Sequence, residues 1–299
     1  MTAAAIAVTA LGRTGAALVE AMRPRQWIKN LLLFAGLVFA GVVNQPVRWA
    51  DAIAAFGIFC VLSSGAYLLN DARDAASDRL HPAKRFRPVA RGAISPELAL
   101  AASALMVAGG LAAAAALAHQ VLEFAVAFTV LQFAYTLVLK RAALLDVLAI
   151  AALFVIRAAA GAEAVEVHIS SWLLACTALL ALFLGLAKRR GELVSAGRGE
   201  TPGRSALRGY SLPVVNGLLT ATLAGTFVTY STYAFYSPDT QWMTATIPFV
   251  AAGLARYLWL VRHDDLGEEP ETVLLTDRLL LACVGLWVIV AAAVVIAAT

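Results

Sequence analysis

Residues 50–78 read ADAIAAFGIFCVLSSGAYLLNDARDAASD, an apolar run from Ala50 to Leu69 that passes without a break into Asn70-Asp71-Ala72-Arg73-Asp74-Ala75-Ala76-Ser77-Asp78. Nothing between Ala52 and Leu69 is charged. A helical run of that length matches the roughly 30 Å hydrocarbon core of a bilayer. If the helix continues into the polar end, Asn70, Asp74 and Asp78 fall at i, i+4 and i+8, one above another on one face. Tyr67 lies on the same stripe, and Asp71 sits about a quarter-turn away. Oxygen ligands at that spacing suit Mg²⁺, which takes one or two carboxylates and completes its shell with substrate phosphate oxygens and water. Asn70, Asp74 and Asp78 are therefore the candidate metal ligands, with Asp71 as second choice. A solvated helix end in which Asp balances Arg would also place charge here. Three carboxylates where a membrane helix meets a cavity are nevertheless costly to keep without a use.

Runs like the first recur along the chain. The 299 residues are 61% hydrophobic and 14% charged, where a soluble domain is about half apolar and about a quarter charged. The mean hydropathy is +0.80. Nine spans are expected: Ile28–Val43, Ala50–Leu69, Glu97–Leu117, Val121–Leu139, Ala143–Glu163, Ser170–Leu186, Val215–Phe235, Met243–Leu260 and Asp277–Ala298. No long polar linker divides them. The expectation is one all-α, polytopic membrane domain over residues 1–299, with its helices around a central cavity. Residues 1–22 form a tail or interfacial helix, because no basic region precedes their short apolar stretch as it would in a cleaved signal. Cys60, Cys176 and Cys283 lie far apart inside apolar runs and read as core residues rather than a disulfide or zinc framework.

Lys and Arg set the orientation. They crowd alternate loops (Arg23, Arg25 and Lys29; Arg73 to Arg91; Lys140 and Arg141; Lys188 to Arg208; Arg262), while the opposite loops hold little beyond Arg48. By the positive-inside rule the N-terminus and the long loops face the cytoplasm and the C-terminus the outside of the plasma membrane. The net charge of +4 is then loop retention plus anionic ligands, and no nucleic acid is implied.

Three basic constellations accompany the acidic stripe. Arg79 to Arg91 places Lys84, Arg85, Arg87 and Arg91 directly after it. An acidic metal face followed by a basic loop is what a Mg²⁺-diphosphate ligand asks for, the metal bridging some phosphate oxygens and cations neutralising the rest. The second gathers Tyr135, Lys140, Arg141 and Asp146 around a short turn, with Arg157 three helical turns beyond Asp146 on the same face. An arginine that deep in an apolar span is functional by default, the bland alternative being a pair with a carboxylate such as Glu163. The third, Lys188-Arg189-Arg190-Gly191-Glu192, can grip a phosphate at the membrane surface, Glu192 orienting one cation, or it can anchor to anionic headgroups. Lys29, in Arg23-Pro24-Arg25-Gln26-Trp27-Ile28-Lys29-Asn30, can reach inward from an interfacial belt. The acidic stretch Asp264 to Glu271 and Asp277 reads as a solvated loop able to help close the site. There is no P-loop, HExxH or Ser/His/Asp arrangement, and the four histidines are scattered.

These residues resemble the UbiA-type intramembrane prenyltransferase superfamily, whose NDxxDxxxD motif is matched in full by Asn70 to Asp78. Residues 23–30 and 188–193 are similar to its decaprenyl-phosphate phosphoribosyltransferase branch from actinobacteria, and the likeness runs over nearly the whole chain. That resemblance implies transfer of phosphoribose from 5-phosphoribosyl 1-diphosphate to decaprenyl (polyprenyl) phosphate, supplying cell-wall arabinan. It implies Mg²⁺ as cofactor and Asp74, Asp78 and Asp71 as the catalytic carboxylates. It further implies that Lys84, Arg87, Tyr67 and Lys29 hold the donor, that Tyr135, Lys140, Arg141 and Arg157 line its opposite wall, and that Lys188, Arg189 and Arg190 present the lipid phosphate. Its partners are the diphosphate donor, the lipid, the membrane and, as a homo-oligomer, further copies of the chain. Prenyl-transferring members usually carry a second acidic DxxxD where this chain has Lys188, Arg189, Arg190 and Glu192. The alternatives are an aromatic prenyltransferase, which wants that second acidic cluster, and a secondary transporter, which binds near the midplane.

Overall fold

The computed structural model describes residues 3–168, 170–199, 205–236, 241–263, 266–267 and 270–298, and every regular element among them is a helix. The α-helices are α1 (Ala3–Met22), α2 (Ala35–Phe39), α3 (Pro46–Arg79), α4 (Pro96–Leu117), α5 (His119–Leu137), α6 (Leu145–Ala164), α7 (Ser171–Gly197), α8 (Leu212–Tyr236), α9 (Ile247–His263), α10 (Pro270–Thr276) and α11 (Arg278–Ala298). Eight of the described segments are long and apolar enough to cross a membrane.

The missing ninth is the first predicted span. Ile28–Val43 is not one α-helix: Pro24–Phe34 winds as a 3₁₀-helix and only Ala35–Phe39 is α-helical. At about 2.0 Å per residue for the first part and about 1.5 Å for the second, the two together still cover about 30 Å. The segment keeps the reach of a span with fewer residues per turn. Its packing explains the winding. Gly161 on α6 lies so close to the Leu33 carbonyl that an added Cβ would overlap it, and a Cβ on Gly36 would stand 2.7 Å from the Ala162 Cα. The thin 3₁₀ ribbon is pressed backbone to backbone against α6, a contact that no hydropathy pattern encodes.

Helix α3 has 34 residues, about 51 Å at the α-helical rise, so its last turns project well beyond a 30 Å hydrocarbon layer. Those turns carry Asn70 to Asp78. Pro46 opens the helix, where its missing N–H costs nothing. Helix α7, with 27 residues, overshoots likewise and carries Lys188 to Glu192 at the corresponding place. Ser95 and Ser170 cap α4 and α7 by accepting the amides of Leu98 and Trp172.

Two apolar cores share α6. In one, Leu33, Phe59, Leu62, Val121, Phe128 and Leu153 join the 3₁₀ segment to α3, α5 and α6. In the other, Val147, Phe183, Leu219, Tyr257 and Leu280 join α6 to α7, α8, α9 and α11. Residues 12–22 are no loose tail, since Ala17 and Ala21 are buried with Leu68, Ala75, Val89 and Ile94 beside the acidic end of α3. Gly161→Ala should therefore lower the apparent Tm in detergent by the equivalent of about 1–3 kcal/mol, the usual cost of overpacking. Gly161→Val should do worse, and Gly109→Ala, where a Cβ meets open space, should be neutral.

Candidate active site

Three cations from three separate segments converge on the face of α3 that carries the motif. Arg23, between α1 and the 3₁₀ segment, pairs with Asp71 Oδ1. Arg87, in the α3–α4 loop, donates to Asp78 Oδ2 at 2.7 Å and stands 3.4 Å from Asp71 Oδ1. Lys140, in the α5–α6 turn, donates to Asp74 Oδ2 at 2.6 Å and to Asn70 Oδ1 at 3.0 Å. Asp71 and Asp78 are 1% and 4% exposed, so these are buried carboxylates that require such partners. Sequence spacing set Asp71 at the margin of the stripe, whereas burial puts it at the centre of the ion cluster. Arg23 also stacks on Tyr67, its guanidinium 5.0 Å from the ring centroid. It does so from a left-handed backbone (φ 55°), a conformation that non-glycine residues hold mainly where surrounding contacts impose it.

The donor set suits a hard cation. Asn70, Asp71, Asp74 and Asp78 offer oxygen only, and Asp71 Oδ2 is buried without a hydrogen-bond partner among the described residues. Among those residues no three His, Cys, Asp or Glu side chains close into a metal cage. Mg²⁺ needs less, because one or two carboxylates suffice when phosphate and water supply the rest.

Deeper in the bundle, Arg157 is 4% exposed. Its Nε donates to Asn30 Oδ1 at 2.7 Å and its Nη1 to the Leu153 carbonyl at 3.0 Å. Its guanidinium lies 4.6 Å from the Phe128 ring centroid and 5.4 Å from that of Phe154. Among the described residues no carboxylate stands against it. Glu163 instead lines a cavity of about 550 Å³ with Asp51, Glu166 and His168. Asn30, which steers Arg157 and donates to Cys60 Sγ at 3.3 Å, was missed as a site residue. A lone amide inside an apolar run was the available signal.

A second ionic centre joins α6 to α7. Arg189 is fully buried, its Nε 3.1 Å from Asp146 Oδ2 and its Nη1 paired with Glu192. Tyr210 donates to Asp146 Oδ1 at 2.7 Å and accepts the Leu144 amide at 2.7 Å. Burial, then the hydrogen bond to Asp146, pushes the Tyr210 phenol well above its ordinary value, so it stays a donor across physiological pH. Arg190 donates to Asn216 Oδ1 and to the Val261 carbonyl. Lys188, Tyr135, Lys84 and Lys29 are half-buried, the last donating to Gln26 Oε1, while Arg141 is exposed. Asp277, expected in a solvated loop, is bound in two places by Arg256, which holds its carboxyl below the usual range. Asp264, Asp265, Glu268, Glu269 and Arg204 lie outside the described residues.

Eight long apolar helical segments among the described residues, with an ion cluster at the end of α3, define an intramembrane helical bundle, a multi-pass membrane protein. The chain belongs to the UbiA prenyltransferase family, whose model matches residues 31–276. It is 33% identical over 287 residues to the decaprenyl-phosphate phosphoribosyltransferase of Mycolicibacterium smegmatis, covering 91% of this chain and 90% of that protein. The enzyme of the same name from Mycobacterium tuberculosis is 33% identical over 281 residues, covering 91% and 92%. Among solved structures, a UbiA homolog from Archaeoglobus fulgidus bound to GPP and Mg²⁺ superposes with a TM-score of 0.73 at 18% identity, over 94% of this chain and 99% of that one.

Because Arg189 is fully buried against Asp146, removing it should act on stability. Arg189→Ala leaves a buried carboxylate unpaired, a loss of about 3–5 kcal/mol, and the apparent Tm in detergent should fall accordingly. An Arg189→Met/Asp146→Leu double variant should recover most of it.

Proposed function

We propose that this chain transfers the 5-phosphoribosyl group of 5-phosphoribosyl 1-diphosphate to a polyprenyl phosphate, decaprenyl phosphate by analogy with the named relatives, and releases diphosphate. The site lies at the cytoplasmic face of the plasma membrane, where the basic loops gather. The observation that carries this reading is the cationic character of the second centre. Lys188, Arg189 and Arg190 occupy the place where the resemblance calls for a second acidic motif in a prenyl-transferring enzyme. A donor diphosphate and a lipid monophosphate both need cations, whereas an aromatic acceptor needs none.

Asn70 and Asp74, helped by Asp78, would hold Mg²⁺, which when bound neutralises charge on the leaving diphosphate. Arg87 and Lys84, with Lys29 and Tyr67, face the donor's phosphates from the motif side. Lys140 already bridges Asn70 and Asp74 and lies close enough to share the diphosphate. Tyr135, Arg141 and Arg157 complete the opposite wall, with Arg157 offering a buried charge that no carboxylate among the described residues neutralises. Asp146 and Glu192 clamp Arg189, which fixes the last turns of α7 and leaves Lys188 and Arg190 to present the lipid phosphate. An oxygen of that phosphate attacks ribose C1 while the bond from C1 to the diphosphate oxygen breaks. An ionised phosphate monoester is already nucleophilic, so no general base is required. Rate enhancement comes from orientation and from charges fixed in advance where charge develops.

Asp74→Ala should abolish turnover at saturating Mg²⁺ while the protein remains folded in detergent by size exclusion. Substantial residual activity would remove Asp74 from the metal site. Lys188→Ala should raise KM for polyprenyl phosphate about ten- to a hundredfold, the value of a charge-assisted hydrogen bond, with little change in KM for phosphoribosyl diphosphate. Steady-state kinetics with each substrate varied in turn measure both. A defect confined to the donor would reverse the assignment of the two phosphate pockets.

A further inference from the structure

Two buried polar groups stand on the path between the acidic stripe and Arg157, and none of the roles above uses them. Ser63 is 2% exposed, and neither its Oγ nor the buried Oε1 of Gln132 has a hydrogen-bond partner among the described residues. Their placement follows from two contacts. Phe59 of α3 packs on Phe128 of α5 with ring centroids 5.0 Å apart, and further on Asp74 of α3 meets Lys140 just past the end of α5. Both contacts advance in the same sense along the chain, so α3 and α5 run parallel. Ser63 and Gln132 each follow their phenylalanine by four residues. They therefore sit on the facing sides of the two helices, one turn nearer the acidic stripe. At 3.6 residues per turn, Phe59, Ser63, Tyr67, Asn70 and Asp74 all fall on one face of α3. Arg157, over the ring of Phe128, closes the deep end of the same column.

The missing partners call for an account, although Ser63 shares this state with Ser231 of α8, away from the acidic stripe. A serine inside a helix ordinarily donates to the carbonyl four residues back, as Ser64 does to Cys60 at 2.7 Å and Thr129 does to Ala125 at 2.8 Å. Ser63 does not. Gln132 Oε1 is an acceptor, so it repels a phosphate oxygen and calls for an O–H or N–H. Buried polar atoms without partners are costly in native proteins, and these two stand between Arg157 and the acidic stripe, the groups assigned above to the donor's phosphates.

We infer that Ser63 and Gln132 bind the ribose hydroxyls of the donor and select a sugar over an isoprenoid beneath the diphosphate. The inference rests on the phosphoribosyl reading and deepens it. A prenyl chain carries no hydroxyl, so it would leave both groups desolvated and unpaired. Sites built to bond a hydroxyl reject analogues that lack it far more strongly than apolar pockets reject one that adds it.

The test compares phosphoribosyl diphosphate with its 2-deoxy and 3-deoxy analogues on wild type, Ser63→Ala and Gln132→Leu, in detergent with Mg²⁺ and polyprenyl phosphate. Wild type should favour the full ribose donor by about tenfold or more in kcat/KM over at least one analogue, the scale of a lost hydrogen bond. Each variant should lose that preference for one hydroxyl while KM for polyprenyl phosphate stays put. Without ligand, the apparent Tm of both variants should equal or exceed that of wild type, because an unpaired buried oxygen has been removed. Ser63→Ala deletes a single atom and keeps the test independent of how well Gln132→Leu folds. Variants that retain the wild-type preference, or that lose stability without ligand, would assign both residues to packing and overturn the inference while transfer itself still proceeds. A wild type that transfers no phosphoribose would overturn the inference together with the function beneath it.

Discussion

A carboxylate with 1% of its surface exposed is costly to bury unless cations face it, and Asp71 is faced by Arg23 and Arg87. Those two arginines come from opposite sides of α3 in the sequence. One ends the N-terminal helix and starts the 3₁₀ segment, and the other lies in the loop before α4. The Asp71 cluster thus locks three pieces of chain around the end of one over-long helix. Arg87 also reaches Asp78, and the motif is thereby held as a rigid acidic face. Lys140 stands across from that face and Arg157 lies below it, while the α7 cations form a separate centre against α6.

Much of this was legible in the residues alone. The acidic spacing after Leu69 placed Asn70, Asp74 and Asp78 on one face because helical periodicity is a local property. The basic loops could be assigned to one side because hydropathy and charge count are local as well. What escaped depended on distant contacts. The first span reads as apolar and helical, yet close approach to Gly161 and Ala162 winds it as a 3₁₀-helix. The Lys188-Arg189-Arg190 triplet reads as three equal cations. Only the packing of α6 on α7 reveals that Arg189 turns inward to Asp146 while its neighbours keep other partners. The depth of Arg157 in an apolar span was legible, but its partner Asn30 lies 127 residues away and leaves no periodic trace.

The two ionic centres divide the labour in a way that the family fold alone does not dictate. At the end of α3, three carboxylates are matched by three cations. At the end of α7, one cation is spent on structure and two others remain near the surface of the bundle. A fold that handles one diphosphate needs acid at both ends to load metal. A fold that joins a diphosphate to a monophosphate needs positive charge at the second, and this chain has it there. Changing the sign of charge at one helix end is a small alteration in sequence, yet it changes which acceptor the bundle can hold.

The most direct test follows label from donor to product. Purified protein in detergent is given Mg²⁺, polyprenyl phosphate and phosphoribosyl diphosphate labelled either in the 5-phosphate or in the diphosphate. The account predicts that the 5-phosphate label enters the organic-extractable lipid while the diphosphate label is released to water in equal amount. Diphosphate label carried into the lipid, or an unlabelled lipid from a protein that instead joins a prenyl diphosphate to an aromatic acceptor, would contradict it.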